Sequence, residues 1–231
     1  ETGEANVVSL AASLRSEGWT VRILGEGSTG GTIVYPARVR DPIATMAAML
    51  RILRLPDSES GPSPYRVWLS ACGHEADFRE DHDLGDLIAT LPPWATTSVF
   101  EPRAALKVRS ADKSALKSAY GEIFASAWEA RKAELARRFS IRSWKAFATL
   151  GTREVEVGAD FAASGDGGLR IFCLSEEGEA LVYLWMRGSG TEPVFRIQAD
   201  VAEGDMGDEE YFLSWHSAMV SQADEAVAAA H

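Results

Sequence analysis

The sequence predicts an α/β segment followed by an α+β domain with a four-stranded antiparallel sheet. Two contrasts carry that reading. In the front part, a helical apolar stripe leads into a strand that ends in a glycine loop, and a capped helix follows. The last third holds short apolar runs separated by turn signals, closed by one more helical stripe.

Val7, Val8, Leu10, Ala11 and Leu14 recur at helical spacing, and Gly18 supplies a stop. Residues 19–24 read as a strand running into Gly25-Glu26-Gly27-Ser28-Thr29-Gly30-Gly31. In α/β sheets the carboxyl ends of strands are where ligands sit. Asp41-Pro42 opens a helix with a cap and a first-turn proline, and Ile43, Met46, Ala47 and Leu50 form its stripe. Residues 57–64 are rich in Ser, Pro, Gly and acid and read as an exposed loop. Residues 84–91 form a short helix stopped by Pro92-Pro93, and 99–108 are extended. A long helix spans about 114–139, with Tyr120, Phe124, Trp128 and Leu135 on its buried side. Arg131, Lys132, Arg137 and Arg138 crowd its last turns, where cations oppose the helix dipole favourably. The runs 154–157, 169–174, 180–186 and 194–197 are the four strands of an antiparallel meander. Tyr211, Phe212, Trp215, Met219 and Val220 return to helical spacing.

The chain has 231 residues, is 46% hydrophobic and carries a net charge of −11, so it can bury a core but presents no overall basic surface. That balance argues against nucleic acid and anionic membranes as partners. No apolar run has the length of a membrane span, which points to a cytoplasmic protein. Cys72 and Cys173 show no metal-ligand spacing and fit a reducing compartment, with one disulfide as the alternative.

Against this acidic background, Arg187-Gly188-Ser189-Gly190-Thr191-Glu192-Pro193 and Arg196 concentrate donors within ten residues. Guanidinium forks match phosphate oxygens in pairs. Hydroxyls add short donors, and glycines let backbone N–H groups converge as an anion nest. Arg187, Ser189, Gly190, Thr191 and Arg196 are therefore the candidate phosphate ligands. Glu192 is structural, because a carboxylate facing phosphate repels it.

Tyr183 to Ile197, with this loop inside it, resembles the C-terminal signature of the α-D-phosphohexomutases, the phosphoglucomutase/phosphomannomutase superfamily. Gly25-Glu26-Gly27-Ser28 is similar to that family's sugar-binding Gly-Glu-x-Ser loop, and Arg40-Asp41 follows it as an Arg-Asp pair does there. The resemblance implies the C-terminal part of a mutase: domain III in part (1–110), a connecting helix (111–146) and a phosphate-binding domain IV (147–231) with a TBP-like fold. The chain begins with Glu1 and lacks both the Ser-His-Asn-Pro-type phosphoserine loop and the Asp-x-Asp-x-Asp-Arg magnesium loop. Catalytic serine and Mg2+ are accordingly expected in upstream mutase domains I and II, joined covalently or present as a complementary chain. The implied reaction moves a phosphoryl group between the 1- and 6-positions of a hexose through a bisphosphate, with phosphoglucomutase favoured over phosphomannomutase. This chain would grip the distal phosphate and hold two sugar hydroxyls on Glu26, with Ser28 assisting. Gly30 stands where many relatives place a histidine. A non-catalytic phosphosugar-binding module is the alternative.

Other candidates have simpler roles. Arg40 and Asp41 read as a salt bridge and a cap, and Cys72-Gly73-His74-Glu75 as a surface or packed loop. His216 reads as a core residue within an aromatic stripe, and 203–210 as a solvated turn and helix start. The tryptophans 128, 144 and 215 read as core.

Overall fold

A computed structural model describes residues 4–25, 32–98, 101–189 and 194–230. The chain forms two compact units that divide between Pro92 and Pro93. Every strand pair among the described residues is antiparallel.

In the first unit, helix α1 (Glu4–Ser16) precedes the two-stranded hairpin of β1 (Ile23–Gly25) and β2 (Thr32–Val34). Ala11, Leu24 and Ile33 form a small core between them. Helix α2 (Pro42–Arg54) starts as its sequence dictates, because the Asp41 carboxylate accepts from the N–H groups of Ile43 and Ala44. Helix α3 (Pro64–Cys72) is capped by Ser63, and α4 (Leu84–Ala89) by an Asp83/Asp86 capping box. Tyr65, Leu69 and Leu87 form a second small core, with the His82 ring stacked on Tyr65 at 3.7 Å between centroids.

This corrects the α/β expectation for the front of the chain. The strand before the glycine-rich segment is three residues long and turns back on its successor in an antiparallel hairpin. Helix α3 was hidden because its start, Pro62-Ser63-Pro64, reads as loop chemistry, whereas Ser63 is a helix cap and Pro64 occupies the first turn.

The second unit is a seven-stranded sheet with two helices on one face. Its strands are β3 (Trp94–Thr96), β4 (Ala105–Lys107), β5 (Ser143–Leu150), β6 (Arg153–Glu156), β7 (Gly168–Leu174), β8 (Ala180–Gly188) and β9 (Val194–Ala202). The order is β3-β9-β8-β7-β5-β6, and β4 also pairs with β9, beside its other end. The four-stranded expectation is thus too small. Strand β5 escaped notice because its core-side positions include Ala146 and Ala148, which give little hydrophobic alternation. β3 and β4 are only three residues each.

Helices α5 (Lys113–Phe139) and α6 (Met206–Ala229) pack on the sheet. Leu116, Tyr120, Phe124 and Trp128 of α5 and Phe212, Trp215, Met219 and Val220 of α6 meet alternate residues of β7, β8 and β9. Each such large apolar side chain contributes about 1.5–3 kcal/mol on burial. The long helix expected to connect two domains is instead half of this unit's helical layer. The boundary lies at 92/93, not at 110, because β3 and β4 belong to the sheet.

Candidate functional site

The β8–β9 hairpin carries the described part of the predicted phosphate loop. On β8, Val182, Leu184 and Met186 are buried toward the helices, so Tyr183, Trp185 and Arg187 project from the opposite face. On β9, Phe195, Ile197, Ala199 and Val201 are the core residues, leaving Arg196, Gln198 and Asp200 on that same opposite face. Arg187 and Arg196 are direct cross-strand partners in the register. Partners of this kind hold their Cβ atoms about 4.5–5.5 Å apart on one face. Beyond them the Ser189 N–H donates to the Val194 carbonyl at 2.8 Å and closes the hairpin. Arg187 is half-buried and Arg196 is exposed.

The other two predicted phosphate ligands, Gly190 and Thr191, and the predicted sugar ligands Glu26 and Ser28 lie outside the described residues. The structure therefore brings together Arg187, Arg196 and Ser189 at one hairpin end. Gly25 closes β1, immediately before Glu26.

Supporting groups fix β8. His216 of α6 is fully buried, with Nε2 3.1 Å from the Trp185 carbonyl and Nδ1 2.8 Å from the Tyr120 hydroxyl. A carbonyl accepts only, so Nε2 carries the hydrogen and the Tyr120 hydroxyl donates to Nδ1. Burial pushes the His216 pKa down to about 4, outweighing the Trp185 carbonyl bond that raises it. Burial likewise holds the Tyr120 hydroxyl well above its ordinary value. The expected core role of His216 holds, with the added feature that it clamps the strand that delivers Arg187.

The face bearing the arginines is polar and aromatic. Phe147, Phe172 and Tyr183 contact edge to face or tilted, at 5.7 and 5.5 Å between centroids. The Arg170 guanidinium lies 5.1 Å from the Phe172 ring centre and pairs with Glu154. Asp200 has its carboxyl raised to about 6, chiefly by burial, opposed by a Thr96 hydrogen bond and reinforced by the charge of Glu209. Burial first, against the nearby Arg170 charge, raises the Tyr183 hydroxyl to about 12.

Two groups escaped the sequence reading. Glu209, expected on a solvated helix start, is fully buried, bonded by the Thr97 hydroxyl and 2.9 Å from Arg103 Nη1. Asp224 accepts the N–H groups of Arg109 and Ser110 at 2.8–3.0 Å, pinning the approach to α5. No short-range pattern announces either, since each pairing spans more than a hundred residues.

The remaining candidates fall into place locally. Arg40 pairs with Glu4 at 3.5 Å beside the Asp41 cap. Cys72 is exposed at the end of α3, Gly73 is its left-handed cap, and His74 Nδ1 lies 2.8 Å from Asp77. Both cysteines are free. Among the described residues no three His, Cys, Asp or Glu side chains are grouped to hold a metal ion, and no helix is long and apolar enough to cross a membrane. A groove of about 630 Å³ runs between α5 and α6, lined by Arg131, Tyr211 and Trp215, and contains none of the predicted site residues.

The chain matches no known protein-family profile. Nor does it match any curated protein sequence.

Proposed function

We propose that the β8–β9 hairpin binds the phosphate of a hexose phosphate, and that the chain is the substrate-gripping C-terminal portion of a phosphohexomutase. One observation carries the reading: Arg187 and Arg196 face each other across two strands at a hairpin end. Two guanidinium groups side by side on one face can each give a dianion a charge-assisted contact. The sequence resemblance supplies the rest: the sugar-binding role of Glu26 and Ser28, the TBP-like likeness of the second unit, and the cytoplasmic setting.

In this reading the loop's task is positioning. Gripping the distal phosphate lowers the entropic cost of aligning the reacting one. The reading assigns the phosphoserine and magnesium to other domains of such an enzyme, and no chemical step to residues of this chain.

Two measurements test the reading. In calorimetric titration with glucose 1-phosphate, Arg187→Ala loses on the order of 2–5 kcal/mol of binding if the contact is desolvated, and Arg131→Ala on the helical layer loses far less. Equal losses overturn the loop assignment. The chain alone converts no glucose 1-phosphate to the 6-phosphate, and measurable turnover overturns the division of labour.

A further inference from the structure

The groove between α5 and α6 has a volume of about 630 Å³, inside the ~300–1,000 Å³ range of small-molecule sites. The two helices run antiparallel along it. Arg138 of α5 pairs with Asp208 near the start of α6, whereas Arg131, about two turns earlier in α5, meets Tyr211 and Trp215. The groove therefore has two unlike ends. Toward the start of α5 its walls are Ile123, Ala127, Ala218 and Met219, with Gln222 at the lip. Trp215 and Met219 are buried and form its floor. Ala127 and Ala218 keep the space open, because a larger side chain at either position would occupy it.

The other end carries the charges. Glu210 accepts from the Ser214 hydroxyl at 2.8 Å and pairs with Arg103. Arg138 pairs with Asp208 at 3.0 Å. Arg131 differs, since among the described residues it pairs with no carboxylate. It donates to the Tyr211 hydroxyl at 3.0 Å, and its Cζ lies 5.6 Å from the ring centres of both Tyr211 and Trp215. These contacts hold the guanidinium against aromatic faces and leave the rest of its donor fork for an anion. Arg131 is half-buried. A positioned, half-buried guanidinium without a counter-charge suits a carboxylate, which it can meet with paired N–H donors. The chain as a whole carries a net charge of −11 and repels anions, so the attraction is local to the groove. From Arg131 back to Ile123 the helix covers about 12 Å, all of it beside apolar wall.

We propose that this groove binds an amphiphilic carboxylate of the fatty-acid class, with the carboxylate on Arg131 and the apolar tail along Ala127, Ile123 and Met219. Burial of the tail supplies the affinity, and the guanidinium fixes which end lies where. The proposal is independent of the phosphate-binding reading of the hairpin.

The test is calorimetric titration of the full chain with decanoate, kept below its micellar range, and with decanol, alongside thermal melts of each variant. The unaltered chain binds decanoate about tenfold or more tighter than decanol, because one charge-assisted contact separates the two ligands. Arg131→Gln removes that difference, and Arg131→Lys restores part of it. Ala218→Leu, at an exposed position, fills the groove and weakens both ligands by about fivefold or more. Non-specific adsorption would instead rise with the added apolar surface, so tighter binding in that variant overturns the site. Equal affinity for decanoate and decanol, or a preference for decanoate that survives Arg131→Gln, also overturns it. If Arg131→Gln fails to fold, the decanoate–decanol difference and Ala218→Leu decide the matter. No binding of either ligand overturns the proposal, and Arg131-dependent binding of an acidic amphipathic helical peptide in their place gives the groove to a protein partner instead. Arg187→Ala leaves decanoate affinity unchanged; a loss equal to that of Arg131→Gln would place the ligand elsewhere and overturn the groove as its site.

Discussion

His216 shows how one residue couples strand position to pH. Its folded pKa of about 4 lies below the ordinary value of 6.5, so the unfolded chain binds the extra proton between those limits. Stability rises with pH wherever the unfolded state holds more protons. The neutral imidazole's contribution is therefore complete above about pH 6.5 and is lost as the pH falls toward 4; at ~1.4 kcal/mol per unit this amounts to roughly 3 kcal/mol. Urea unfolding followed between pH 7.5 and 4.5 should show that decline in the second unit, and His216→Gln should flatten it while lowering stability at pH 7.5. An unchanged slope in the variant would remove His216 as the cause. Its core placement was legible from the aromatic stripe in the sequence, but its partners were not, because Tyr120 and Trp185 come from other elements.

At the scale of elements, legibility followed the strength of local signals. The Asp41-Pro42 start of α2 and the long stripe of α5 were readable because caps and 3.6-residue periods are local. β7, β8 and β9 were readable because glycine turns bracket runs of large apolar residues. β5 was not, since its identity comes from pairing with β7 over seven residue pairs and not from its own pattern. The turn entering β7 is the place where such pairing leaves least room. A Cβ on Gly167 would sit 2.2 Å from the Thr149 carbonyl oxygen of β5. Backbone cannot yield as a flexible side chain does, so Gly167→Ala should destabilise by about 2–3 kcal/mol, near the upper end for single substitutions. Chemical denaturation of the variant checks this, and a loss below about 0.5 kcal/mol, the ordinary scatter of surface changes, would contradict the tight approach.

For the whole molecule, the division at Pro92/Pro93 leaves two units with separate cores. Units that do not share a core need not unfold together. Scanning calorimetry of the full chain should resolve two transitions, with the larger second unit melting last. Five of the seven tryptophans lie after Pro93, so fluorescence should follow the later transition. A single transition seen by both probes would show the units to be cooperative. The sequence by itself determined the β7–β8–β9 meander, the Asp41-capped start of α2 and the concentration of donors around Arg187, because each depends on residues a few positions apart. Only the tertiary structure decided that Arg196 stands opposite Arg187 in register, that β3 and β4 join the sheet, and that Arg131 of α5 meets Tyr211 and Trp215 of α6. Those juxtapositions join residues up to about a hundred positions apart, and strand register and helix packing, which fix them, are properties of the assembled core.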